Sequence, residues 1–431
     1  MGKYINVGIG QSTNKNEELA VKEAIEQALS QLKGKKPTFS IVYTDYKLDQ
    51  NKLCKNINSY LKKDWTGMSI DRHFNSSSPY NEDITISVLC ISSDYMHFSV
   101  DYAKNYRKDA RKKAKKTIRS AIKHMKSSKN LDSFIAFNKY RNKDYMKLIR
   151  DQQFFVMTFL SGTEFKMNEE LPGDESDFVE ALVEELGVSV PIFGGGAGSD
   201  FIDYVKEGKG TNYQFANGKC LQDAGVVVFC VSDLPFEVDV NHGYELTNKF
   251  AHVSKVDKTG YKILELNGKK DAVGEYCKLI GIKKTSYLKD PSEFSLSRPF
   301  GLVSIDGKTY VRELLPGKNG KEFHLTAKMK QDTIANIMKY QEKKLKMNFS
   351  VVLQKAIKEG PVGLTLAVSC STRRFLAGKK VKDEIALAKK TSNKTPFFGG
   401  FVFSEIGSTK TARAMAYGAT ITTLTIYDKL F

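Results

Sequence analysis

The chain opens on an alternating run. Ile5, Val7 and Ile9 alternate with Asn6 and Gly8, the period of a strand with one face against a core. Asn14 or Asn16 then caps a helix, because a short carboxamide accepts from the free N–H groups of a first turn. Val21, Ala24, Ile25, Ala28, Leu29 and Leu32 share one face of that helix, and Gly34 ends it.

Three segments follow with one order of elements: apolar strand, helix, glycine-containing strand start, apolar strand. In the first, residues 39–43 form the strand, Leu53, Ile57, Tyr60 and Leu61 mark the helix, Gly67 opens the next strand, and residues 84–90 close the copy. The second has residues 154–159, a helix carrying Phe178, Leu182, Val183 and Leu186, then Pro191-Ile192-Phe193-Gly194-Gly195, and residues 226–231. The third has residues 364–368, a helix carrying Val381, Ile385 and Leu387, then Pro396-Phe397-Phe398-Gly399-Gly400, and residues 419–426. The pattern P-x-F-G-G is identical in copies two and three, which points to internal duplication. Proline stops the helix before it and pre-sets an extended entry. The paired glycines admit either a neighbouring backbone or a ligand at close range. Spacing alone leaves both readings open.

Between copies two and three, residues 252–256 and 261–266 with Asn267-Gly268 read as a hairpin. A helix is expected from Ala272 to Leu279, strands at residues 300–303 and 309–312, and a long helix from Asp332 to Lys358. A domain boundary is expected between Asp239 and Leu246, giving domains 1–240 and 241–431. The fold class that follows is α/β: repeated β-α-β-β modules forming layered, packed sheets with outer helices, and a pseudo-two-fold relation between N- and C-terminal halves.

Composition narrows the function classes. No run of about 18 apolar residues occurs, so no membrane-spanning helix is expected. Met1-Gly2-Lys3-Tyr4 leads into an amphipathic pattern without a signal segment, and a cytoplasmic location follows as the expectation. None of the six cysteines forms a C-x-x-C pair, so neither a disulfide framework nor a zinc site is expected. Much of the net charge of +18 comes from residues 104–129. Tyr106, Ala110, Ala114, Ile118, Ile122 and Met125 recur there at helical spacing, which makes a basic amphipathic helix. It is either a solvated face or a contact for an anionic partner. No nucleic-acid-binding motif accompanies it.

The ordered motifs, from residue 5 to residue 428, resemble the FIST family, a prokaryotic sensory domain with N- and C-terminal parts. Gly8-Ile9-Gly10 before an alanine-rich helix resembles its opening. Residues 191–200 (PIFGGGAGSD) resemble its glycine-rich segment, and Asn241-His242-Gly243-Tyr244 resembles its closing turn. In the C-terminal part, Cys370-Ser371-Thr372-Arg373 matches a C-x-x-R element, Glu384 a helical Glu, and residues 398–407 (FGGFVFSEIG) a late signature. Trp65 to Asp71 departs from the family's G-x-S-T-x-G, and Tyr417-Gly418 stand where an Asn is usual. The resemblance implies sensing of a small molecule, amino acids having been proposed, with output through a separate signalling protein. Some related sensors bind haem and respond to nitric oxide.

The candidate chemistry follows the motifs. Arg373 suits a carboxylate and Glu405 an ammonium, so the two together suit an amino acid. An internal ion pair is the competing reading. Ser404 adds a hydroxyl, and Gly399, Gly400, Phe401 and Cys370 stand beside these residues. Gly194, Gly195, Gly196, Ser199 and Asp200 form either an anion-binding nest of N–H groups or a structural turn. His242 is the haem-ligand candidate. No catalytic signature appears among the six histidines or the carboxylates, so no enzymic activity is expected. An enzyme using Cys370 or Glu405 is the alternative.

Overall fold

Local chemistry starts the first helices where the sequence places them. Asn16 caps α1 (Glu17–Gln31) by accepting from the N–H groups of Glu18 and Leu19. Asp49 caps α2 (Gln50–Leu61) through Asn51 and Lys52. A computed structural model describes residues 2–62, 64–127, 153–166, 169–171, 173–304 and 307–431. Strands β1 (Asn6–Ser12), β2 (Phe39–Asp45), β3 (Trp65–Ile70), β4 (Arg72–Asn75) and β5 (Ile86–Ser92) complete a first unit.

A second unit runs through β6 (Met96–Lys104), α3 (Ala110–Ser127), β7 (Phe154–Ser161), the small hairpin β8 (Glu164–Lys166) and β9 (Glu169–Leu171), and α4 (Glu175–Leu186). It continues through β10 (Ile192–Ala197), α5 (Phe201–Glu207), β11 (Gln214–Ala216), β12 (Lys219–Leu221) and β13 (Ala224–Ser232). The third unit begins with β14 (Phe236–His242). An insert interrupts it: β15 (Tyr244–Val256), β16 (Lys262–Leu266), α6 (Ala272–Ile280), α7 (Lys284–Lys289), α8 (Pro291–Ser297), β17 (Phe300–Val303), β18 (Thr309–Arg312), β19 (Leu314–Pro316), β20 (Phe323–Leu325) and β21 (Thr333–Tyr340). The unit resumes with α9 (Glu342–Glu359), β22 (Val362–Cys370), α10 (Ser371–Ala377), α11 (Val381–Ser392), β23 (Phe397–Val402), β24 (Ser404–Thr409), β25 (Ala412–Tyr417) and β26 (Thr420–Tyr427).

The sheets of the three units share one strand order: β1-β5-β2-β3, β6-β13-β7-β10 and β14-β26-β22-β23. In each, the last two strands are parallel and the remaining pairs antiparallel. A strand from another unit then completes each sheet. β11 of the second unit lies beside β3 of the first, β24 of the third beside β10 of the second, and β4 of the first beside β23 of the third. The exchange runs in a circle. The strand orders therefore repeat three times, where two related halves were expected, and the pairings cross the division at residue 240. The insert forms its own sheet of seven strands.

The inner faces of the three sheets meet in one core. Ile41 and Tyr43 come from the first, Met157, Phe159 and Val228 from the second, Leu366, Val368 and Phe398 from the third. The Tyr43 ring stacks on Phe398 with centroids 5.0 Å apart, tying the first sheet to the third. Helices cover the outer faces: α1 and α2 on the first sheet, α3 and α4 on the second, α9 and α11 on the third. Strands covered on both sides explain the continuous apolar runs.

The P-x-F-G-G motif now has a structural meaning. It opens β10 and β23, the strands that receive an exchanged neighbour. A Cβ on Gly195 would stand 2.8 Å from the Ser404 carbonyl and 3.2 Å from Val402; one on Gly400 would stand 3.1 Å from the Arg72 carbonyl and 2.2 Å from Ile70. The same glycine thus admits the incoming chain in both sheets. On Gly399, a Cβ would meet the Phe74 ring at 2.5 Å. The protein's own atoms fill these close approaches.

Two expected elements differ. The helix expected from Asp332 to Lys358 is β21 followed by α9, because residues 333–340 pair with β15 and tertiary pairing overrides the local period. The basic helix expected over residues 104–129 begins at Ala110, since Met96–Lys104 pairs with β13 along its whole length; residues 128 and 129 lie outside the described ones. Its basic face meets α4, where Arg111 pairs with Glu180 at 3.2 Å, Lys115 with Glu184 at 2.9 Å and Arg119 with Glu185 at 2.6 Å. Part of the charge offered to an outside partner is thus answered within the chain.

Candidate ligand-binding site

Three parts of the fold converge on a cavity of about 250 Å³. The second unit contributes Thr163 and the first turn of α5. Asp200 caps that helix, accepting from Ile202 and Asp203, and is itself fixed by Arg72 at 2.6 Å. The cap sets Phe201 and Tyr204 on the cavity wall. The third unit contributes Cys370, Ser371 and Thr372 at the junction of β22 with α10, and Val402 and Phe403 where the chain crosses from β23 to β24. The insert supplies Pro291, Ser292 and Leu296 from α8, and Glu313, Leu315, Pro316 and Thr326 from its sheet edge.

One end of the cavity is aromatic. Ring centroids of Tyr204 and Phe403 are 5.1 Å apart, those of Phe201 and Phe403 5.8 Å, and those of Phe201 and Tyr204 6.1 Å. Gly198 admits this cluster, because a Cβ there would reach within 2.7 Å of the Phe403 ring.

Acidic groups sit at another part of the wall. Glu313 is 3% exposed, accepts from the Thr326 hydroxyl at 3.5 Å, and lies 4.0 Å from the Cys370 sulfur. Burial raises its pKa to about 7, against hydrogen bonds from Thr372 and Thr326. Glu405 lies behind the wall, wholly buried, with Oε2 accepting from Thr420 N at 3.0 Å and from the Thr420 hydroxyl at 2.9 Å. Burial pushes Glu405 well above the usual carboxyl range, and the nearby Glu313 adds to the shift. The Cys370 thiol is pushed up by burial and by both carboxyls.

The Glu313 shift has a measurable sign. Folded, the group keeps its proton to about pH 7; unfolded, its ordinary value is 4.5. Its contribution to stability is fully present below 4.5 and is lost as pH rises through 7, at about 1.4 kcal/mol per pH unit inside that window. Glu313→Gln removes this dependence. Denaturant titrations of wild type and variant at pH 5 and pH 7 will show the wild type losing ground to the variant as pH rises; parallel curves would contradict the assignment.

The residues singled out from sequence divide. Cys370 lines the cavity. Arg373 and Glu405 do not close on one ligand there: Arg373 is wholly buried and paired with Glu384 of α11, the ion pair that was its competing reading. Ser404 is buried, with its hydroxyl 3.5 Å from the Tyr417 carbonyl. Gly399, Gly400 and Phe401 lie in β23, with the Phe401 ring 5.2 Å from Phe74. Gly194, Gly195 and Gly196 carry ladder pairing in β10, so no turn or nest forms there. Ser199 is buried, and Asp200 is a cap and ion-pair residue. His242 ends β14, and its Nδ1 accepts from Tyr244 N at 3.3 Å. Burial, with Arg373 and Lys344 nearby, lowers its pKa to about 4.

Glu313 was missed, as were Phe201, Tyr204 and Phe403. A signal for Glu313 was present: Arg312-Glu313 interrupts an apolar run between Val311 and Leu314, where two charges must be buried or face a site.

Sequence models of two domains match this chain, the FIST N domain over residues 38–269 and the FIST C domain over residues 272–408. The chain belongs to the FIST family. FIST domains are associated with sensory signal transduction, which supports a sensory role for this FIST protein. An uncharacterized protein of Methanocaldococcus jannaschii is 29% identical over 174 residues, which cover 38% of this chain and 30% of that protein. The FIST chain thus matches under a third of that relative's length. Its cavity takes residues from both matched parts: Thr163, Phe201 and Tyr204 from FIST N, the rest from FIST C. Among the described residues, no helix is long and apolar enough to cross a membrane, and no His, Cys, Asp or Glu group is arranged for a metal.

Proposed function

We propose that this protein is an intracellular small-ligand sensor whose ligand, an amino acid or a similar small molecule, occupies the cavity between α5, α8 and α10. The observation that carries the reading is where that cavity lies. Its walls come from the second unit, the third unit and the insert, so an occupant touching all three favours the arrangement in which they close. Its volume is near the lower limit of ligand sites, about 300 Å³, and suits a small metabolite. The signal then passes to a separate protein through the altered packing of the insert.

The other readings have less behind them. Haem at this cavity has less support, because His242 does not line it and its Nδ1 accepts a backbone N–H. A nucleophilic Cys370 needs a thiolate, which burial and two neighbouring carboxyls oppose.

A thermal-shift screen of the whole chain against small metabolites tests the proposal. A ligand at a hundred times its Kd stabilises by about 2.7 kcal/mol. Ser292→Trp, which fills the cavity from a half-buried position, will abolish that shift. A screen without any stabilising compound, or a shift undiminished in the variant, refutes it.

A further inference from the structure

We infer that the ligand is an organic ammonium ion, its charged nitrogen held at Glu313 and its apolar part enclosed by Phe201, Tyr204 and Phe403; this rests on the cavity being the ligand site.

No Lys, Arg or His among the described residues lines the cavity, while Glu313 does. Among the described residues, no basic side chain forms an ion pair with Glu313 or Glu405, although each is almost fully buried. Glu405 Oε1 is buried without a protein partner. Buried without a counter-charge, Glu313 keeps its proton to about pH 7; a ligand ammonium beside it supplies the charge that lets the carboxyl ionise and pair. The three rings pack on one another, with centroids 5.1 to 6.1 Å apart, and present one apolar surface that covers the alkyl part of an amine whose nitrogen lies at Glu313. Hydroxyls of Thr326 and Thr372 hydrogen-bond the Glu313 carboxyl and orient it. A free carboxylate on the ligand would be desolvated here with no guanidinium or ammonium to receive it. Neither adjoining guanidinium lines the cavity: Arg373 is paired with Glu384, and Arg312 donates to the carbonyls of Lys328 and Val311. The inference therefore departs from a zwitterionic amino acid and selects its decarboxylated counterpart, a small primary amine.

Isothermal titration calorimetry of the full chain with three near-isosteres decides the matter: 3-methylbutylamine, leucine and 4-methylpentanoate. The amine is expected to bind, leucine at least about tenfold more weakly, and the acid not measurably. Glu313→Gln, close in shape, is expected to weaken the amine about tenfold or more. Tyr204→Leu, which alters the aromatic part of the lining and leaves Glu313 in place, is expected to weaken it about threefold to tenfold. Leucine or the acid binding as tightly as the amine overturns the charge class and leaves the sensor reading standing. An undiminished amine affinity in Glu313→Gln also overturns it. If none of the three binds and the metabolite screen is equally silent, the cavity reading itself falls.

Discussion

Replacing Asp71 with alanine is expected to remove about 3–5 kcal/mol of stability, the effect of breaking a buried ion pair from one side. Asp71 belongs to the first unit, on the connection between β3 and β4, and its side chain is wholly buried. Its Oδ2 accepts from Arg374 Nε at 2.8 Å and its Oδ1 from Arg374 Nη2 at 3.0 Å, a two-pronged bond to α10 of the third unit. The same Oδ1 accepts from Phe201 N at 3.2 Å, at the start of α5 in the second unit. One carboxylate therefore holds all three units at a single point, beside the cavity. Alanine strands the Arg374 guanidinium, whose other ion-pair partner among the described residues is exposed Glu82 at 3.9 Å. Asparagine keeps the shape and part of the hydrogen bonding and should fall between. Urea titration measures the loss; a value under about 1 kcal/mol would show that Asp71 does not carry this junction. Phe201 lines the cavity, so ligand affinity should fall along with stability.

Arg373 and Glu384 give a second large effect, and one that tells structure from recognition. Arg373→Ala or Glu384→Ala leaves a buried charge alone and is expected to cost about 3–5 kcal/mol. The double replacement Arg373→Met with Glu384→Leu is expected to recover most of that loss. The pair is not ideally placed: Arg373 Nε and Nη1 are buried without protein partners, so desolvation is only partly offset. The double variant should also bind ligand as the wild type does, because neither residue lines the cavity. A double variant that folds yet loses ligand would return Arg373 to the role its sequence motif suggests.

The legible parts of this molecule are those fixed by neighbours in sequence. The alternation around Ile5 to Ile9, the Asn16 cap and the apolar face of α1 all depend on residues a few positions apart. The P-x-F-G-G repeat was visible too, but its purpose was not. Gly400 faces His73 in the register, a partner far away in the chain and in another unit. Residues 333–340 show the same limit. Ile334, Ile337 and Met338 mimic a helical period, and only pairing with β15 makes them a strand. At the site, Arg373 and Glu384 were both noticed, but spacing carries no direction, and the side chains meet each other. Glu313 stands among residues with no motif, and only the folding of the insert against α5 and α10 gives it a role.

The circular exchange of strands has a consequence for synthesis. Ser76, just past β4, bonds to Phe397, 321 residues later in the chain, and Lys3 N meets the Asp428 carboxylate at 2.6 Å, 425 positions away. At roughly 5–20 residues per second, β4 emerges from the ribosome about 15–60 s before its partner exists. The emerged β4 waits that long without the strand it pairs with. A β4 of only four residues offers stray chains little to pair with, so its brevity protects the polypeptide while translation finishes.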